Sequence, residues 1–108
     1  MTIDLQQTHG TNATQDLTNL TLVKADFADV GLSPDANDSA QALVAAQFLK
    51  WAAVLTEENQ NLDSSQLITI ARDLESITTR GGNTYTRVSY SINFDKLTPT
   101  ITIDPDDF

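Results

Sequence analysis

The sequence predicts an α+β domain: two or three helices, then a C-terminal antiparallel β-hairpin packed on them, with room for a short N-terminal strand. Three observations carry this. The stretch Ala40–Leu55 is apolar at 13 of its 16 positions, too long for a strand. Leu67, Ile70, Ala71, Leu74 and Ile77 recur at helical spacing. Residues 88–103 alternate apolar and polar side chains with the period of a strand.

Taken in order, residues 1–15 are polar, with Ile3 and Leu5 alternating. They read as a flexible segment or an edge strand over Thr2–Gln6, leaving residues 16–108 as a single domain. In residues 16–30, Leu17, Leu20, Val23, Phe27 and Val30 fit a helix, although Leu20-Thr21-Leu22-Val23 has the composition of a strand. Gly31 ends that element.

The main helix is expected over residues 34–57. Pro34 suits a first helical position after a Ser33 cap. Asp38 with Gln41 offers a second start of capping-box type. Thr56–Asn61 then reads as a polar connector. A second helix begins at Asp63, where Asp63 and Gln66 fit a capping box and Leu62 and Leu67 a hydrophobic staple. Gly81-Gly82 supplies its left-handed stop.

The hairpin follows if Asp95-Lys96 is the turn. Phe94, Ile92, Tyr90 and Val88 then face Leu97, Pro99, Ile101 and Ile103, an apolar set. Asn93, Ser91, Ser89 and Arg87 face Thr98, Thr100, Thr102 and Asp104, a polar set. A slip of one residue scrambles both faces, which is why the register is credible.

Composition narrows the function. Without cysteine, the chain has no disulfide, thiolate metal site or cysteine nucleophile. With His9 as its one histidine, no zinc or transition-metal site is expected, and no cofactor is implied. The net charge of −9 repels phosphate backbones and anionic lipid, so neither nucleic acid nor membrane is an expected partner. Met1–Gln7 lacks the basic and apolar regions of a secretory signal, and no stretch is apolar enough to span a bilayer, so a soluble cytoplasmic protein is expected.

No catalytic set emerges. Asp35-Ala36-Asn37-Asp38-Ser39 lacks the central glycine and the final glutamate of a calcium loop, and helix capping explains its acids. Asp26 with Asp29, and Asp73 with Glu75, read as solvated surface acids rather than an acid–base pair. Arg80, Arg87, Tyr85 and Tyr90 form only a sparse basic aromatic group, set against a strongly negative chain.

The telling feature is the over-apolar helix 34–57. A helix apolar all round must be covered all round, and a chain this short has little with which to cover it. The expectation is a non-enzymatic, acidic interaction module that self-associates through this helix, as a homodimer or with another protein, and acts as a structural or regulatory subunit. The interface would centre on Phe48, Trp51, Ala52 and Leu55, with Trp51 as anchor. The alternative is a small-ligand site between the long helix and the hairpin, lined by Phe48, Trp51 and Tyr90.

Overall fold

The structure, a computed structural model, describes residues 3–97 and 101–108. Helices combine with antiparallel strand pairs, and the C-terminal pairs follow the helices, the α+β class expected. The chain divides into two compact units, Met1–Leu55 and Thr56–Phe108.

In the first unit, helix α1 spans Leu5–His9, where a strand was one expectation. A capping box starts it: the Asp4 carboxylate accepts from the Gln7 N–H, and the Gln7 side chain accepts from the Asp4 N–H. Gly10, at φ 112°, turns the chain out of the helix. Strands β1 (Thr14–Gln15) and β2 (Leu20–Thr21) pair antiparallel. The Asp16 carboxylate nucleates their connection by accepting from the N–H groups of Thr18 and Asn19.

Residues 16–30 do not form an α-helix. After β2 comes a 3-10 helix over Lys24–Val30, closed by Gly31 at φ 101°. Of the apolar series read there as one helical face, Leu17, Leu20 and Val23 are exposed, and only Phe27 is buried. The strand-like composition of Leu20-Thr21 prevailed in that short pairing.

Helix α2 spans Ala40–Val54. It starts later than the expected position 34 because Ser39 is the cap, its Oγ accepting from the Ala42 N–H at 3.0 Å. Asp38 is instead ion-paired to Lys24 at 3.3 Å and accepts from the Asp35 N–H. Helix α2 packs against α1 and the 3-10 helix. Ala13, Phe27 and Ala46 are buried in this unit, together with Lys50. Lys50 buries its stem and brings its ammonium 5.3 Å from the Phe27 ring centroid and 3.1 Å from the Asp29 carboxylate.

The second unit corrects the reading of residues 56–80. The polar connector is itself helix α3, Glu57–Leu62, capped by Thr56 through the Asn59 N–H. The expected second helix from Asp63 is two strands, β3 (Ile68–Arg72) and β4 (Ser76–Arg80). Their β-branched runs, Ile68-Thr69-Ile70 and Ile77-Thr78-Thr79, favour a pleated chain over a helix. Asp63 does not start a helix; it follows α3 and its carboxylate accepts from Ser65.

The hairpin is also repartnered. Strand β6 (Tyr90–Phe94) pairs with β3, placing Ile68 opposite Phe94, Ile70 opposite Ile92 and Arg72 opposite Tyr90. Ile101, Thr102 and Ile103 are not in a strand, and the expected partners Thr98, Pro99 and Thr100 lie outside the described residues. Strand β5 (Asn83–Arg87) pairs with β4 around Gly81-Gly82. Both glycines have positive φ, 57° and 79°, as the two central residues of a type I′ hairpin turn require. The glycine pair is therefore a hairpin turn, not a helix stop.

The two strand pairs use the same outgoing and returning stretches of chain, interrupted where Asp73-Leu74-Glu75 faces Val88-Ser89. This is the unequal count of a bulge. The Asp73 N–H donates to the Ser89 carbonyl there at 2.8 Å. Helix α3 packs against β3, burying Ile70, Thr69 and Gln66. Phe108, after a 3-10 turn over Pro105–Asp107, meets the Phe94 ring edge-on at 5.4 Å between centroids.

Candidate association surface

Helix α2 has two unlike sides. With Ala46 and Lys50 turned inward, the 100° step per residue places Val44, Phe48, Ala52 and Leu55 along one outer row. Ala45, Leu49 and Ala53 form the neighbouring row. Val44 is 66% exposed and Leu49 38%, and both alanines of the second row are exposed. Phe48, Ala52 and Leu55 are half-buried beside them. Three of the four residues expected at an interface thus share a strip with Val44. The sequence reading missed Val44 and Leu49, because the inward lysine that fixes the helix rotation does not look like a core residue.

Trp51 sits differently from an exposed anchor. It is half-buried at the flank of the strip, with its ring 6.0 Å from His9 and 6.4 Å from Phe48. Its indole N–H is buried and has no hydrogen-bond partner among the described residues. Tyr90 belongs to the second unit, on β6 opposite Arg72. The ligand-site residues proposed from the sequence therefore divide between the units.

The charge pattern singles out the same helix. Between Asp38 and Glu57 lies no acid, and between Glu75 and Asp95 lies none either. The 15 acids fall outside these two stretches. The first stretch holds α2 and the second holds β4, β5 and β6.

Several acids elsewhere are engaged structurally. Asp26 accepts from the backbone and side-chain N–H groups of Asn12, each at 2.7 Å. Asp29 pairs with Lys50, Glu75 with Arg72 at 2.7 Å, and Asp73 accepts from the Ser91 hydroxyl. The Thr18 and Asn19 backbone N–H groups hold the Asp16 carboxyl below its usual range, and the Ser65 hydroxyl and N–H do the same for Asp63. Neither is a catalytic setting, since both are turn anchors. No group of three or more His, Cys, Asp or Glu suited to a metal ion occurs among the described residues. His9 lies against Thr8 Oγ1 at 2.6 Å through Nδ1 and against the Trp51 ring.

Each unit has a cleft among its described residues. The larger, of about 440 Å3 in the second unit, is lined by α3 and by β6 with the residues that follow it, and includes Glu57, Gln60, Ile92, Phe94, Asp95 and Ile103. The smaller, of about 190 Å3 in the first unit, is mostly apolar around Phe27, Leu32, Leu43 and Ala46. No helix among the described residues is long and apolar enough to cross a membrane. Comparison with family models, with curated proteins and with solved structures found no match to this chain.

Proposed function

We propose that the chain is a non-enzymatic, self-associating module, acting in the cytoplasm as a structural or regulatory subunit, whose copies meet across the outer face of α2. The observation that carries this is the acid-free apolar strip Val44–Phe48–Ala52 with Ala45, Leu49 and Ala53. Two bodies of charge −9 repel each other, and this strip is where they can touch without opposing carboxylates. Its alanines allow close helix approach, while Phe48 and Leu49 supply apolar area.

The seam is short. Fifteen residues make a helix of about 22 Å. Such a seam falls below the roughly 1,200 Å2 of a stable interface, so the dimer should dissociate on dilution.

Light scattering across a concentration series tests the proposal. The mass should rise from 11.8 kDa towards twice that value. At 0.5 M sodium chloride, where contacts between opposite charges are screened, Val44→Asp with Leu49→Asp should bring it down to the monomer mass with an unchanged circular-dichroism spectrum. Trp51 is unsuited to this test, because its contacts with His9 and Phe48 belong to the fold. A wild-type mass fixed at one copy at millimolar concentration would overturn the reading.

A further inference from the structure

The second acid-free stretch has a chemistry of its own. Strands β4 and β5 carry Arg80 and Arg87 and no acid, so the rest of the chain holds −11. Cross-strand partners share a face. The register therefore puts Arg80, Tyr85 and Arg87 on one face and Ile77, Thr79, Thr84 and Thr86 on the other. The Arg80 guanidinium lies 4.7 Å from the Tyr85 ring centroid, a stacked and pre-oriented cation. All five residues of β5 are exposed, and of β4 only Thr78 is half-buried. Two strands open on both faces are marginal alone.

The same unit carries the complementary surface. In the 440 Å3 cleft, Glu57 and Asp95 supply negative charge, and Ile92, Phe94 and Ile103 supply apolar walls. The Asp95 carboxylate is oriented by the Gln60 side-chain amide at 3.1 Å. The volume suits an aromatic ring with a guanidinium. Because the ribbon face is exposed and the cleft open within one chain, the matching occupant is a ribbon from another molecule.

We propose that the β4–β5 ribbon is an arm that docks its Arg80–Tyr85–Arg87 face into the Glu57–Asp95 cleft of a second copy of this chain. The two surfaces differ, so the contact is head-to-tail and closes into a ring or propagates. It is independent of the two-fold contact across α2. A nucleic-acid strand is the weaker match, since two arginines face a field of −11.

The test uses the full chain bearing Val44→Asp and Leu49→Asp, alongside the unaltered chain. Sedimentation and light scattering should show reversible association at low salt. Arg80→Glu with Arg87→Glu should weaken it on the order of tenfold, as should Glu57→Lys with Asp95→Lys. Mixing the two charge-reversed proteins should restore association, because each then meets an oppositely charged partner. Circular dichroism checks folding, and Arg80→Gln with Arg87→Gln replaces the reversal if that fails. The proposal is overturned if no association survives the α2 substitutions at millimolar concentration, or if the ribbon charges leave it unchanged. It is equally overturned if a labelled oligodeoxythymidine binds this face while the protein stays monomeric. Failure of the α2 reading shows separately, as a mass that Val44→Asp and Leu49→Asp do not alter.

Discussion

Gly10 shows how one atom constrains the first unit. Its φ of 112° is unfavourable for any residue with a side chain, and a Cβ there would lie 2.7 Å from the Cβ and Oδ2 of Asp26. Asp26 cannot retreat without losing both hydrogen bonds from Asn12. Gly31 has a similar φ of 101° but open space around it. Gly10→Ala should therefore cost about 2–3 kcal/mol and Gly31→Ala about 1 kcal/mol, measured by urea unfolding. Equal costs would show that the Asp26 contact is irrelevant. Gly31 was legible in the sequence as an end to its element. Gly10 was not, because its constraint comes from a residue 16 positions away.

At the scale of elements, legibility followed locality. The main helix was readable because a run of alanines and leucines acts within a few residues, although its cap is Ser39 rather than Ser33 or Asp38 and its start shifted to Ala40. The segment from Asp63 misled for a physical reason. Apolar residues at 67, 70, 74 and 77 satisfy a helical period, yet the β-branched neighbours and the Gly81-Gly82 turn favour strands. The apolar face of β6 was correctly found, but its partner was not. Alternation says which face is apolar and nothing about which strand answers it. On the outer face of α2, Phe48, Ala52 and Leu55 could be named from the sequence, while Val44 and Leu49 needed the helix rotation that Lys50 sets. One substitution tests the turn. Gly82→Val at φ 79° should unpair β4 and β5 while leaving α2 intact. Loss of the Thr79–Thr84 cross-strand contacts in nuclear Overhauser spectra, with the helical circular-dichroism signal retained, would confirm it. Retention of those contacts would refute it.

For the whole molecule, the two proposed contacts answer oppositely to salt. The α2 seam joins like-charged bodies, so screening their repulsion from 0.05 to 0.5 M sodium chloride should strengthen it. The ribbon joins opposite charges, so the same change should weaken it. The mass of the Val44→Asp, Leu49→Asp chain should fall with salt, and that of the Arg80→Glu, Arg87→Glu chain should rise. Parallel trends would mean that one contact accounts for both.

The ribbon also carries a clock. Along each strand of an isolated antiparallel pair, amides alternate between those bonded across the ladder and those pointing to water. In β4 and β5 the outward amides have no neighbouring strand among the described residues, so in deuterated solvent they should exchange first, every second residue along the strand. If another molecule comes to lie along that edge, the alternation disappears and the pattern becomes uniform. The spacing of fast and slow sites would then report how much of the edge is occupied, residue by residue, with no label attached.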